Sequence, residues 1–235
     1  MNIFNRSNDI AFITLTNKGY LDYTKNCLKS ILQCGIREPL KVYCIDEIAY
    51  HEIIKFHKNV YLIDNIKKRE GSFIQYRTKG WEEVVINKFN IIYKELLSNH
   101  YVCFTDGDIV FENRECIKYC LDNIGKNDII AQREYKELDS NPNNICSGFM
   151  LIKSNRKTRK LFNPKNLPDI ICDQIYINNI KKYLKYSFLP KELFPNGFIF
   201  YNMSNEIKPY LIHFNFIAGD KNKREKMCDY NKWYI

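Results

Sequence analysis

Residues 101–110 read YVCFTDGDIV. The first five are uncharged, β-branched or aromatic for the most part, and of strand length, which is the pattern of a buried strand. The chain then turns on Asp106-Gly107-Asp108. Two carboxylates separated by one residue can reach the same side of a sheet edge, and Gly107 lets a ligand approach the backbone closely. Taken alone, Asp and Gly mean no more than a turn. The elements that precede this turn give it weight.

Working outward, residues 10–16 (IAFITLT), 40–45 (LKVYCI) and 60–63 are short apolar runs read as strands. Residues 21–32 show helical spacing, and Asp46 begins a helix that runs to about residue 57. Residues 65–79 are polar, contain Gly71 and read as a loop. Residues 81–97 form the most regular helix, with Val85, Phe89, Ile92 and Leu96 at intervals of three and four. This β-α-β-α-β opening predicts a mostly parallel sheet with helices packed on it. Ligands of such sheets gather at the carboxyl ends of strands, where Asp106 and Asp108 fall. Mg²⁺ or Mn²⁺ prefers oxygen ligands and keeps coordination positions for substrate phosphates. The pair therefore predicts a divalent-metal site that binds a phosphorylated ligand.

The second half is less regular. Asn113 is expected to cap a helix ending near Gly125, and residues 128–131 read as a strand. Residues 132–144 read as a loop, and Cys146-Ser147-Gly148-Phe149 as a tight turn into a strand at 149–153. Ser154 is placed to cap the next helix. Asp173-Gln174 opens a helix to about residue 184, and residues 186–189 form a strand. Residues 190–205 read as loop with one apolar piece at 198–201, and residues 210–213 as a last short strand before a Lys-rich tail. With no repeat or linker, 1–235 reads as a single α/β domain.

Several residues beyond the acidic turn could join its chemistry. A neutral His213 could be a third metal ligand, although a lone histidine is more often simply packed. Gly219 followed by Lys221 and Lys223 suits close approach of a diphosphate and its neutralisation, or else a solvated basic tail. Asp173 and Gln174 suit hydrogen bonds to sugar hydroxyls, while the local alternative is a helix N-cap. Gly148 suits a turn.

Composition narrows the classes. At 235 residues, 45% hydrophobic and 27% charged, the chain supports one sizeable core. Its net charge of +9 comes from scattered lysines, the densest clusters being 67–69 and 221–226. A basic nucleic-acid-binding protein is the non-enzymatic alternative, but no helix-turn-helix or aromatic RNA platform supports it, so no nucleic acid is expected. The nine cysteines form no CxxC pair and read as buried free thiols of a reducing compartment. The first residues do not resemble a signal peptide, and no apolar run approaches the ~20 residues of a transmembrane segment. A cytoplasmic location is the expectation. The competing enzymatic reading is a haloacid-dehalogenase-like phosphatase with Asp106 as nucleophile and Asp108 as acid/base. That reading needs a later acidic pair, which Gly219-Asp220 does not supply at the usual offset.

Taken in order, the segments Ile13-Thr14-Leu15-Thr16-Asn17, Cys44-Ile45-Asp46-Glu47-Ile48-Ala49, Lys88, Phe104 to Val110, Ser147-Gly148-Phe149-Met150, Asp173-Gln174, and His213 to Gly219 with Lys223 resemble the nucleotide-diphospho-sugar transferase family. The resemblance covers about residues 10–227. It implies a Rossmann-like GT-A fold with a mixed, mostly parallel sheet, residues up to about 111 binding the nucleotide and residues from about 112 the sugar and acceptor. It implies a glycosyltransferase that moves a sugar from a nucleotide-diphosphate sugar to a glycan, glycoprotein or small-molecule acceptor with retention of configuration. In that scheme Asp106, Asp108 and His213 hold Mn²⁺ or Mg²⁺, and residues 14–17, with Thr14, Thr16 and Asn17, cradle the nucleoside. Gly107, Gly148, Asn215 and Gly219 lie along the donor, while Lys88, Lys223 and Lys221 neutralise the diphosphate. Asp173 and Gln174 face the transferred sugar or acceptor, Asp173 being the candidate nucleophile. Many relatives carry Asn where Cys146 stands here, with Asn144 two residues earlier. Relatives often have a membrane anchor, whereas this chain resembles a bare catalytic domain of viral or microbial type.

Overall fold

The strand that delivers the acidic turn lies at the centre of the sheet. In the computed structural model, which describes residues 9–63, 81–135, 143–167 and 172–235, strands β1 (Ile10–Thr16), β2 (Leu40–Cys44), β3 (Val60–Leu62) and β4 (Tyr101–Thr105) follow the expected pattern. They are joined by β6 (Ile129–Glu134), β7 (Asn144–Lys153) and β8 (Tyr186–Phe188). Among the described residues the order is β3-β2-β1-β4-β7-β6-β8. The first four run parallel, β7 runs antiparallel to both β4 and β6, and β8 is parallel to β6. A second, two-stranded sheet pairs β5 (Ile109–Phe111) with β9 (Leu211–His213). The polar stretch 65–79, expected to be a loop, lies outside the described residues.

Side-chain alternation along the central strands sorts them onto two faces. Phe12, Cys103, Phe149 and Leu151 point to one face, where they meet helices α1 (Leu21–Cys34), α2 (Glu47–Ile53) and α4 (Cys116–Asn123). Ala11, Ile13, Val102, Phe104, Met150 and Ile152 point to the other, against α3 (Trp81–Ser98) and α6 (Asp173–Ile180). The four apolar residues of the α3 stripe, Val85, Phe89, Ile92 and Leu96, are all buried there. All nine cysteines are free and seven are buried.

Six local expectations differ from the structure. Residues 146–149 are not a turn but the interior of β7, and β6 continues through Glu134, so the expected 132–144 loop is shortened from both ends. Asn113 does not cap α4; its side chain accepts from the Glu115 N–H (2.9 Å) one turn earlier. The cap of α5 (Arg156–Phe162) is Asn155, in a reciprocal capping box with Thr158, while Ser154 donates to the Leu96 carbonyl (2.6 Å) and ties the strand end to α3. The apolar piece at 198–201 is helical, inside α7 (Gly197–Met203), with Asn196 accepting from the Ile199 N–H (3.0 Å). The Lys-rich tail is α8 (Asp220–Asp229), which buries only Lys223 and Met227.

Asp128 clasps the far end of the sheet. It accepts from the Lys185 N–H and the Lys157 ammonium (2.8 Å each) and from the Asn155 amide (2.9 Å). Burial opposes its charge, but the Lys157, Lys185 and Asn155 hydrogen bonds hold its pKa below the usual aspartate value. A carboxyl depressed in the folded state stabilises above its unfolded pKa of about 4, and that contribution is lost as pH falls through the lower folded value. Asp128→Asn is expected to lower stability by about 1–3 kcal/mol at pH 7 in urea unfolding. The gap from wild type should narrow below about pH 4; a gap unchanged by pH would remove this assignment.

Candidate active site and metal centre

Two strand pairings carry the acidic turn into contact with residues distant in sequence. On one side Thr105 faces Phe149 across the β4–β7 ladder, and the Asp106 N–H donates to the Gly148 carbonyl (2.7 Å). On the other side Ile109 faces His213 in the β5–β9 pair, and the Phe214 N–H donates to the Asp108 carbonyl (3.1 Å). His213 Nε2 consequently lies 3.3 Å from Asp108 Oδ1 and 3.9 Å from Asp106 Oδ2. One ligand atom from each of Asp106, Asp108 and His213 falls within 4.8 Å of the others. Gly148 makes this possible, because a Cβ there would sit 2.3 Å from His213 Cε1 and 2.7 Å from Asp106 Oδ2. Its lack of a side chain serves the site rather than a turn.

A second cluster adjoins the first. Lys88, on α3, donates to Asp173 Oδ2 (2.7 Å) and Asp106 Oδ1 (3.3 Å) with its Nζ 4.3 Å from the Phe104 ring centroid. Ser147 donates to the same Asp173 oxygen (2.8 Å). Asp173 is thus not an N-cap; Cys172 occupies that position and Asp173 turns inward. Burial opposes charge on both Lys88 and Asp173, yet their mutual attraction, with Asp106 also acting on Lys88, raises the lysine pKa and lowers that of Asp173. A bare ammonium at this depth would cost several kcal/mol, so the two carboxylates are its structural condition.

Asp108 is held in its charged form differently. Burial again opposes the charge, and Lys223 from α8 together with His213 overcomes it, leaving the pKa well below the aspartate range. Asp106 shifts the opposite way. Burial and the neighbouring Asp108 and Asp173 charges raise its pKa against the pull of Lys88 and His213. Its side chain retains 37% exposure, all the same, so it forms the wall of an opening rather than part of the core. Three carboxylates face two ammonium groups here, which leaves one negative charge uncompensated beside an imidazole. That donor set, oxygen-rich and anionic, fits a hard divalent cation.

These groups line a cavity of about 560 Å³, within the range of small-ligand pockets. Of the residues singled out in the sequence, Thr16, Asn17, Lys88, Asp106, Gly107, Asp108, Gly148, Asp173, Gln174, His213, Asn215, Gly219 and Lys223 all line it. Thr14 and Lys221 do not. Thr14 is buried in the sheet, and Lys221 is exposed on α8, 3.8 Å from Glu225. Gly107 also serves the fold, since a Cβ there would meet Thr24 Oγ1 of α1 at 2.7 Å. Asn215 accepts from the Gly197 N–H (2.7 Å), so its side chain also anchors α7. Gly219 has φ +87° at the start of α8, the left-handed region that favours glycine, and it turns the helix N-terminus toward the cavity rim.

Other lining residues are given no individual role in the sequence. Ser147 positions Asp173, and Tyr20 contributes an aromatic wall. Glu134, in a segment that reads as loop, presents a buried Oε2 without a hydrogen-bond partner among the described residues.

A family model described as nucleotide-diphospho-sugar transferase matches residues 36–227. A UDP-galactose:fucoside alpha-3-galactosyltransferase of Dictyostelium discoideum is 25% identical over 98% of this chain. The chain spans 44% of that relative's length. Among solved structures, the galactosyltransferase LgtC in complex with donor and acceptor sugar analogues is similar at a TM-score of 0.56 and 12% identity, covering 87% of this chain and 86% of that one. The glycosyltransferase GlyE of Streptococcus pneumoniae is similar at 0.58 and 16% identity, covering 94% and 59%.

If the space at Gly148 is reserved for the three ligating side chains, Gly148→Ala should displace His213 or Asp106. Mn²⁺ affinity measured by calorimetry is expected to fall on the order of 10–100-fold with the circular dichroism spectrum retained. Wild-type affinity in this variant would show that the close approach is incidental.

Proposed function

Because the chain belongs to the nucleotide-diphospho-sugar transferase family, we propose that it transfers a sugar from a nucleotide-diphosphate donor to a hydroxyl of an acceptor, with retention of anomeric configuration. Its sheet is the mixed, mostly parallel sheet of the GT-A fold. The observation that carries the proposal is the meeting of Asp106, Asp108 and His213 at the floor of a cavity with two buried lysines beside it. The phosphatase reading of Asp106 gains no support from the family match. Among the described residues, no helix is long and apolar enough to cross a membrane.

In this reading the nucleoside lies toward Thr16, Asn17, Tyr20 and Ile45, on the β1–β2 side of the cavity. The diphosphate lies over the acidic turn, with Lys223 and the N-terminus of α8 on its far side. A Mn²⁺ or Mg²⁺ ion held by Asp106, Asp108 and His213 would offset the negative charge that grows on the departing diphosphate. Lys223 and the helix N-terminus act in the same direction from fixed positions, which needs no reorganisation during reaction. The sugar itself faces Asp173, Gln174 and Ser147, and Lys88 keeps Asp173 ionised next to it. The Glu134 oxygen that has no donor among the described residues suits a hydroxyl of the sugar or acceptor, because a buried acceptor without a donor is costly.

Retention follows if the acceptor hydroxyl attacks from the face the diphosphate leaves. The bond from the anomeric carbon to the phosphate oxygen breaks, a bond to the acceptor oxygen forms, and the acceptor's proton passes to the leaving oxygen. Asp173, ionised and beside the sugar, can also stabilise positive charge at the anomeric carbon.

The experiment is donor hydrolysis and transfer across a panel of nucleotide sugars with Mn²⁺, comparing wild type with Asp108→Asn. The amide preserves shape and a partner for Lys223, and turnover is expected to fall by about 100-fold or more in a variant that retains the wild-type circular dichroism spectrum. Absence of turnover and of donor binding for every sugar in wild type would overturn the function. Undiminished turnover in the variant would remove Asp108 from the site.

A further inference from the structure

Gln132 is fully buried at the bulged part of β6, where the sequence predicts the first residue of a loop. Its side chain has no access to solvent and makes three contacts. The amide nitrogen donates to two backbone carbonyls, Phe194 (3.1 Å) and Pro195 (2.8 Å). Carbonyls only accept, so both amide protons are committed and the orientation of the amide is determined. The amide oxygen then faces His213 Nδ1 at 2.8 Å. An oxygen there can only accept, so Nδ1 must carry a proton. Cys146 Sγ, the other neighbour of Nδ1, is 3.5 Å away and is a weak partner.

The opposite nitrogen is thereby assigned. Nε2 faces Asp108 Oδ1 at 3.3 Å and Asp106 Oδ2 at 3.9 Å. If the proton of a neutral imidazole sat on Nε2 it could bond to Asp108, which would satisfy the local contacts and leave no lone pair for a cation. Hydrogen bonding at the distal nitrogen is how proteins choose which imidazole nitrogen binds metal.

We propose that Gln132 is a positioning residue that keeps the proton of His213 on Nδ1 and so reserves Nε2 for the divalent cation. The inference rests on Asp106, Asp108 and His213 forming the cation site, and it adds the group that makes the third ligand competent. The same amide is tied to the segment at 194–195, whose Pro195 carbonyl also accepts from the His213 N–H (3.2 Å). Ring orientation and strand position are therefore set from one place.

Two measurements test this on the full chain without any nucleotide sugar. In the first, Mn²⁺ binding is measured by electron paramagnetic resonance for wild type, Gln132→Met and Gln132→Glu. Methionine fills the space but offers no comparable acceptor, and affinity is expected to fall roughly 10–100-fold. Glutamate restores an acceptor at Nδ1 and is expected to recover most of that loss. In the second, nitrogen-15 spectra of the His213 ring in wild type with Mg²⁺ should place the proton on Nδ1. This reading stands even if neither variant folds. A proton found on Nε2, or a folded Gln132→Met that binds Mn²⁺ within about twofold of wild type, would overturn the role of Gln132 alone. Failure of wild type to bind Mn²⁺ would overturn the cation site, and this inference with it.

Discussion

The hydrogen bond from the Asp106 N–H to the Gly148 carbonyl marks the point where a parallel sheet gains an antiparallel partner. β4 lies between β1, which runs with it, and β7, which runs against it. The carboxyl end of β4 therefore meets the early part of β7 rather than the end of another forward strand. That places a glycine, a serine and a cysteine beside the acidic turn, and α6 packs behind them with Asp173 turned inward. The β5–β9 pair then closes over the turn and adds His213. A one-residue slip in either ladder would send these side chains to the opposite face, so the register is as much a part of the site as the residues.

The charges form two linked units. Lys88 joins Asp106 to Asp173, and Lys223 joins α8 to Asp108. Both lysines are buried; Lys88 keeps its charge through Asp106 and Asp173, while Asp173 and Asp108 are held ionised by Lys88 and by Lys223 with His213. One consequence is mechanical. α3, α6 and α8, which come from separate parts of the chain, are tied to one turn by ionic contacts and cannot shift independently of it. Another is chemical: burial with the Asp108 and Asp173 charges raises the Asp106 pKa, while Lys223 and His213 hold that of Asp108 down, although the two carboxylates lie two positions apart in sequence.

Much of this could be read from the chain, and the residues show why. The strands at 10–16, 40–44 and 101–105 and the helix at 81–98 declare themselves because each buries a continuous run or a regular stripe. α8 did not, since a helix that buries only Lys223 and Met227 leaves no apolar period to detect. α7 is seven residues long and begins at a glycine after Pro195, where local signals favour a loop. The two aspartates and His213 were visible by type and order. Their neighbours were less so: Lys88 and Asp173 are 85 residues apart, and nothing in either segment announces an ion pair. Gln132 was missed because its environment, two carbonyls and an imidazole, comes from residues 194, 195 and 213 and exists only after folding.

Those separations bear on how the protein acquires its competence. Lys88, Asp108, Asp173, His213 and Lys223 come from separate parts of the chain, and the contacts among them close loops of 85 residues (Lys88–Asp173) to 115 residues (Asp108–Lys223). Such non-local contacts form late and slowly compared with helical turns or neighbouring strands. A cation or donor that binds the assembled cleft therefore draws only on the fully native population, and its binding energy adds to the stability of that state alone. For a chain with nine free thiols and strands buried on both faces, occupancy of that cleft would double as protection against partial unfolding.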